Sequence, residues 1–446
     1  MALTGIEIFK MLPKTNCKEC GFPTCLAFAM ALASGKAELG ACPYVSDEVK
    51  EKLAEASAPP IRPVKLGAAD AVKTIGGETV QFRHEKTFFN PTLIAGLLTT
   101  AMADAEVDAK IDTFMKMQYE RVGLNLRPEM FAVKDVSGDA GKFAALVKKV
   151  VDQSDALLLL CGDKPEVLKA GAEAGKDRRP ILAYATDANA DAMGALAKEL
   201  DLPLVAKADG YDALAALTTK LTGMGLKDLL LDGGARAIKQ VLQDNIVFRR
   251  AALVPKFRPF GFPVVNCVAE MTDDPMMQTL YASVCIAKYG GIVVLSDLQP
   301  HTVFPLLLQR LNVYTDPQKP MIVTQGIYPI NNPDENSLIA VTTNFALTYF
   351  IVTGEIEGSK VPTWLLIKDT EGLSVMTAWA AGKFSGDDVG IFVKKSGITD
   401  KAKTRTLIIP GYAAAISGDL EEELPDWKIL IGPREASHIP AFLKSL

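Results

Sequence analysis

Residues 141–161 read "GKFAALVKKVVDQSDALLLLC". The first thirteen set apolar residues at helical spacing among lysines. After Asp155 the chain turns into an unbroken apolar run, as a strand buried on both faces requires. The same alternation recurs on both sides. Candidate strands are "TVQFRH" (79–84), "EMFAVKDV" (129–136), "DALLLLC" (155–161), "ILAYAT" (181–186), "PLVAKA" (203–208), "DLLLDG" (228–233), "PVVNCV" (263–268) and "IVVLSD" (292–297). Helical patterns such as "ANADAMGALAKELD" (188–201) and "YDALAALTTKLTG" (211–223) separate them. Eight such units over roughly 250 residues match a (β/α)8 TIM-like barrel, with an open doubly wound sheet as the alternative.

The active face of a barrel lies at the C-terminal ends of its strands. Asp135, Asp232 and Asp297 stand there, with Glu270 and His301 just beyond. Aspartate after a strand also caps the next helix, the role expected of Asp187 in "ATDANAD". Cys161, Cys267 and Cys285 sit in apolar contexts and read as core packing. No Ser–His–Asp set, HExxH or P-loop appears, so the barrel is expected to have no catalytic task of its own.

Four of the seven cysteines crowd the N-terminus as Cys17, Cys20, Cys25 and Cys42, spaced C-x2-C-x4-C-x16-C. Three on one loop and a remote fourth followed by Pro43 suit a 4Fe–4S cluster, with zinc or free thiols as alternatives. Gly21 and Pro23 keep the loop open. Thr24 caps a helix in "TCLAFAMALASGKA" (24–37), and Ser46 begins another in "SDEVKEKLAEAS" (46–57). "APPIRPVKLG" (58–67) then reads as a stiff linker.

Proline and turn residues at 315–336 end the barrel pattern. Beyond them, "SLIAVT", "WLLIKD", "TLIIPG" and "KILIGP" each lead into a helical stretch, which predicts a small Rossmann/flavodoxin-like domain. The expected domains are therefore 1–59, a small helical cluster module; 60–325, the barrel; and 326–446, the terminal α/β domain. Ligands bind such open sheets outside the strand C-terminal ends. That gathers Ala340–Asn344, Thr370–Ser374, Gly411 and Gly432–Arg434 around one crevice. The absence of GxGxxG disfavours a nicotinamide cofactor.

Composition bounds the rest. Hydrophobic residues make up 49%, charged residues 23%, and the formal net charge is −5, which offers nothing to nucleic acid. No signal-peptide pattern and no run long enough to span a bilayer appear, so a cytoplasmic protein without membrane contact is expected.

Taken together, "NCKECGFPTC…GACP", the barrel and "WLLIKDTEGLSVMTAW" resemble the large subunit of the corrinoid/iron–sulfur protein of the reductive acetyl-CoA pathway, along essentially the whole chain. The resemblance implies a methyl-carrier subunit rather than a stand-alone enzyme. A corrinoid cobalt, as Co(I), accepts a methyl group from methyltetrahydrofolate on a separate methyltransferase and passes it to acetyl-CoA synthase/CO dehydrogenase. Implied partners are a small subunit completing a heterodimer and an electron donor such as ferredoxin. Cys17, Cys20, Cys25 and Cys42 match the cluster ligands, and the cluster restores Co(II) to Co(I). The corrinoid falls to Ala340, Thr343, Asn344, Ala346, Thr370, Glu371, Gly372, Leu373, Ser374, Gly411, Gly432 and Pro433. Many corrinoid domains ligate cobalt through D-x-H-x-x-G. His84, His301 and His438 all lack that context, which predicts a base-off corrinoid without a histidine ligand. Alternative readings are an iron–sulfur electron-transfer adaptor without corrinoid, a structural scaffold, and a barrel methyltransferase binding a pterin through Asp232, Asn266 and Asp297. Hinges are expected near Pro59–Pro63 and Tyr328–Glu335.

Overall fold

A computed structural model describes residues 5–33, 36, 37, 39–46, 49, 50, 53, 59–68, 72–121 and 123–446. The chain forms two compact units, Met1–Met117 with Arg127–Tyr314, and Gln118–Leu126 with Thr315–Leu446. Strands begin with a hairpin of β1 (Val64–Leu66) and β2 (Lys73–Ile75), followed by β3 (Leu93–Thr99). A second hairpin holds β4 (Tyr119–Arg121) and β5 (Leu124–Leu126). Then come β6 (Met130–Lys134), β7 (Leu157–Cys161), β8 (Ile181–Ala185), β9 (Leu204–Lys207), β10 (Leu229–Asp232), β11 (Val264–Cys267) and β12 (Gly290–Leu295). The C-terminal sheet uses β13 (Gly326–Ile330), β14 (Leu338–Thr343), β15 (Thr363–Lys368), β16 (Thr406–Ile409) and β17 (Lys428–Ile431).

In the first unit β3 and β6–β12 close into a parallel eight-stranded barrel in chain order. This settles the choice between barrel and open sheet. Alternate residues of each strand point inward and fill the interior, among them Ala95, Ala132, Leu159, Ala183, Val205, Leu230, Val265 and Val294. Val64, Leu66 and Ile75 of the first hairpin join this core. The outward-facing residues, such as Phe131, Leu158 and Leu182, are equally buried, which is why the strands read as unbroken apolar runs.

The first barrel strand differs from the one expected. Residues 79–84 form no strand, and β3 is "LIAGLLT" (93–99). "TVQFRH" alternates polar and apolar residues and leaves Phe82 exposed, so it cannot serve where both faces are buried. Gly96 interrupts the better run, and the packing explains it: a Cβ there would lie 2.8 Å from the Leu298 side chain. Asp187 does not cap the following helix. Asn189 orders that turn, its Oδ1 accepting from the Thr186 backbone N–H at 2.7 Å and the Thr186 hydroxyl at 3.2 Å.

At the N-terminus a helix spans Cys25–Ala33, capped by the Thr24 hydroxyl, which accepts from Ala27 N–H at 3.1 Å. The helix expected over 46–57 lies mostly outside the described residues. The Pro59–Pro63 stretch is not a free linker. Arg62 N–H donates to Gly261 O, Gly77 N–H to Ile61 O, and the Arg258 guanidinium to Pro59 O.

In the second unit the sheet order is β13-β15-β14-β16-β17, with β14–β17 parallel and β13 antiparallel at one edge. The parallel part therefore runs second, first, third, fourth, the doubly wound flavodoxin-like order, which reverses between β14 and β16. One face packs under helices Ala346–Ser359 and Ile439–Lys444, the other under Gly386–Lys395 and Ser417–Glu423. The turn-rich stretch contains β13, so Tyr328–Ile330 is paired strand rather than hinge. Pro329 is tolerated there because an edge strand needs no N–H on its outer side.

Candidate functional site

The four clustered cysteines come from one compact module. Cys25 opens its helix, and Cys42 follows the turn Leu39–Ala41. Asn16 clasps Cys25 from both sides: its Oδ1 accepts from Cys25 N–H at 2.8 Å, and its own N–H points at Cys25 Sγ at 3.4 Å. The chain from Lys14 to Gly21 turns sharply, with Lys14, Asn16, Lys18 and Gly21 all at positive φ. Cys25 and Cys42 are buried beside Phe28 and Val45, while Cys17 and Cys20 are half-buried. The Tyr44 hydroxyl donates to Glu19 at 2.7 Å. That bond raises the Tyr44 pKa, and both Cys17 and Cys42 lie near enough to add to it. Among the described residues no three of His, Cys, Asp and Glu are close enough to hold one metal ion. A 4Fe–4S cluster is held by four thiolates at separate iron atoms, and the four free cysteines gathered in this module are a donor set of that chemistry.

At the barrel mouth the acids are bound to neighbours. Glu270 bridges Lys134 Nζ at 2.8 Å and Arg236 Nε at 2.7 Å, and Arg236 also grips Asp232 at 3.0 Å. Burial opposes ionisation of Glu270, but the bonds from Lys134 and Arg236 outweigh it and hold its pKa at about 2. Asp135 accepts from Thr100, Ser137 and Gly138, and Asp297 pairs with Lys110 at 2.9 Å. Asn266 exchanges amide hydrogen bonds with Asn245. Asp232, Asn266 and Asp297 thus each have a structural partner. Cys161, Cys267 and Cys285 are buried in the core, and burial pushes all three thiols up in pKa.

The second unit holds a cavity of about 370 Å³ between the sheet and helices Ala346–Ser359 and Ile439–Lys444. It opens where β14 and β16 diverge, at the topological switch point. Its floor is Ala340, Leu365 and Ile408, and its walls include Thr348, Val352 and Phe442. Tyr412, Arg434 and Glu435 mark the rim, where the Tyr412 hydroxyl donates to Glu435 at 3.0 Å. One polar atom stands out. Thr342 lines the cavity, and its hydroxyl is buried without a hydrogen-bond partner; the Thr343 hydroxyl beside it is also buried without one, though Thr343 does not line the cavity. A buried hydroxyl without a partner is costly, and one on a residue that lines a cavity is a group a ligand could satisfy. Leu347, Ile351, Met376, Trp379 and Tyr412 are exposed apolar side chains of this unit.

The expected ligand residues divide into three groups. Ala340, Ser374, Gly432 and Pro433 line the cavity. Thr343, Asn344 and Thr370 are buried, and Asn344 organises the loop after β15. Its Oδ1 accepts from Thr370 N–H, Thr370 Oγ1 and Gly372 N–H at 3.0–3.1 Å, while its amide donates to Asp369. Glu371 and Gly372 supply successive positive-φ residues in that loop, and Glu371 pairs with Lys383. Ala346 begins the wall helix, and Leu373 packs on the opposite face of the sheet. Gly411 lies under the Gly432–Arg434 loop. The wall residues Thr348, Val352 and Ile356 escaped a reading centred on glycine loops, although their i, i+4 spacing marks one helix face.

The family model for the CO dehydrogenase/acetyl-CoA synthase delta subunit matches residues 63–443, and an Fe-S cluster model matches residues 12–44. The chain is 44% identical over 446 residues to the corrinoid/iron-sulfur protein large subunit of Moorella thermoacetica, covering 100% of this chain and 99% of that one. It is 37% identical over 453 residues to the gamma subunit of the acetyl-CoA decarbonylase/synthase complex of Methanopyrus kandleri, covering 99% and 97%. With the gamma 2 subunit of Methanosarcina thermophila it shares 36% over 461 residues, covering 98% and 97%.

Proposed function

Because the chain belongs to the family of corrinoid/iron–sulfur protein large subunits and acetyl-CoA decarbonylase/synthase gamma subunits, we propose that it carries methyl groups on a corrinoid held by its C-terminal unit. The observation that carries this reading is the apolar cavity at the switch point with its orphan Thr342 hydroxyl. When bound, the corrinoid supplies a cobalt centre that takes a methyl group from one partner and gives it to another.

The chain's own residues bind and shield. Ala340, Leu365, Ile408 and the helix wall exclude water from the apolar part of the ligand, and Thr342 offers it a hydroxyl. Gly411 and Gly432 let the rim loops approach closely, and the Asn344 network fixes the loop that carries Ser374. The cavity lining includes no histidine side chain. A corrinoid held there would be offered no imidazole by the residues that line the cavity, in keeping with the base-off form proposed for it.

Cys17, Cys20, Cys25 and Cys42 would hold a 4Fe–4S cluster whose electron restores the cobalt after accidental oxidation. The partners this role calls for are a small subunit, a methyltetrahydrofolate methyltransferase, acetyl-CoA synthase/CO dehydrogenase and an electron donor such as ferredoxin. The exposed apolar side chains of the C-terminal unit suit a covering subunit.

The test is anaerobic purification with the companion subunit, followed by metal analysis and spectra. About one cobalt and about four iron per heterodimer, with a base-off spectrum, is the expected outcome. Iron without cobalt, even after corrinoid is offered, would leave an electron-transfer adaptor as the better account.

A further inference from the structure

The hairpin β4–β5 is a small element with an unusual allegiance. Its residues, Gln118–Leu126, lie between the first and second barrel strands in sequence yet group with the C-terminal unit. The pairing is antiparallel, Tyr119 with Leu126 and Arg121 with Leu124. The Arg121 guanidinium carbon stands 3.9 Å from the centroid of the Phe350 ring. Arg121 forms no carboxylate ion pair among the described residues, so the ring is its principal partner. Next to it, burial raises the Tyr349 phenol pKa, and the Glu120 carboxylate is close enough to add to the rise.

Phe350 and Tyr349 belong to helix Ala346–Ser359, whose Thr348, Val352 and Ile356 wall the cavity. The Tyr349 ring in turn meets Tyr328 of the edge strand at 5.3 Å. The hairpin therefore bears on the very helix that a cavity ligand touches. We propose that Arg121 is a positioning residue: stacked on Phe350, it clamps the wall helix, so that corrinoid in the cavity and hairpin on the helix stabilise each other. The inference rests on the reading of the cavity as the corrinoid site.

Coupling of this kind is reciprocal by thermodynamic necessity. Loss of the clamp weakens ligand binding by the same factor by which ligand tightens the clamp. A stacked Arg–aromatic contact is worth about two- to thirtyfold in an equilibrium constant.

The test uses the full chain, free and titrated with hydroxocobalamin, as wild type, Arg121→Ala and Arg121→Lys. Affinity is read by absorbance, and amide hydrogen exchange is read in peptides spanning 118–126 and 346–359. In the wild type, corrinoid should slow exchange in the hairpin as well as in the helix. Arg121→Ala should bind several-fold more weakly and lose the hairpin's response to ligand, with far-UV circular dichroism unchanged. Arg121→Lys, which keeps the charge but not the planar stack, should restore part of both. Wild-type affinity in Arg121→Ala, or a hairpin indifferent to corrinoid in the wild type, would overturn the clamp alone. A wild-type chain that takes up no corrinoid would overturn the reading of the cavity, and the clamp with it.

Discussion

Gly411 and Gly432 meet at the C-terminal edge of the sheet so closely that a Cβ on Gly411 would stand 2.5 Å from the Gly432 carbonyl oxygen and 2.7 Å from Arg434 N. Both obstructing atoms are backbone and cannot swing aside. Gly411→Ala is expected to destabilise the C-terminal unit by about 1–3 kcal/mol. The three tryptophans, Trp364, Trp379 and Trp427, all lie in that unit, so urea unfolding followed by tryptophan fluorescence isolates the effect. An unchanged midpoint would mean that the rim loops are not tightly held.

Thr342→Val separates a ligand-facing hydroxyl from a structural one. In the ligand-free chain its Oγ1 has no partner, so an isosteric methyl should leave stability unchanged or raise it by up to about 1 kcal/mol. Corrinoid affinity should fall at the same time, by about five- to tenfold for one lost hydrogen bond. A fall in both quantities, measured by chemical unfolding and by titration, would assign the hydroxyl to the fold instead.

Cys20→Ser tests the donor set of the N-terminal module. Iron should drop from about four per chain to a small fraction of that, because a half-buried serine replaces one thiolate corner. The barrel should keep its circular dichroism spectrum, since its interior draws on none of the module's side chains. Undiminished iron would remove Cys20 from the ligand set.

Glu270 gives the barrel an acid-sensitive component. Its pKa lies at about 2 in the fold, below the ordinary 4.5, so its stabilising effect is complete above about pH 4.5 and disappears as pH falls toward 2. Solvent screening at this partly open site reduces the effect to about 1–2 kcal/mol. Glu270→Gln should therefore be less stable than wild type at pH 7, and the gap should close near pH 2.5. A gap independent of pH would show that packing, not charge, carries the difference.

The barrel was readable in sequence wherever both faces of a strand are buried, because burial on both sides leaves an uninterrupted Leu/Val/Ile signature. β7 and β10 are the clearest cases. β3 escaped because Gly96 breaks the run for a tertiary reason, the nearness of Leu298. The hairpin β4–β5 escaped because three-residue strands with polar faces carry no period long enough to detect. Of the small residues expected at the strand ends of the C-terminal sheet, Ala340, Ser374, Gly432 and Pro433 line the cavity, whereas its walls are ordinary apolar helix positions. Nothing local distinguishes Val352 from a core valine; only the packing of the helix against the sheet does.

The split membership of the second unit also bears on synthesis. Its hairpin is complete at Leu126, whereas the strand that starts the rest of the sheet region, β13, begins at Gly326. At translation rates of roughly 5–20 residues per second, those 200 residues take on the order of 10–40 s. Throughout that interval the nascent chain presents Arg121 before the helix whose Phe350 receives it exists. The barrel between them can fold while the hairpin waits, and the last unit to leave the ribosome closes on a piece of chain made long before it.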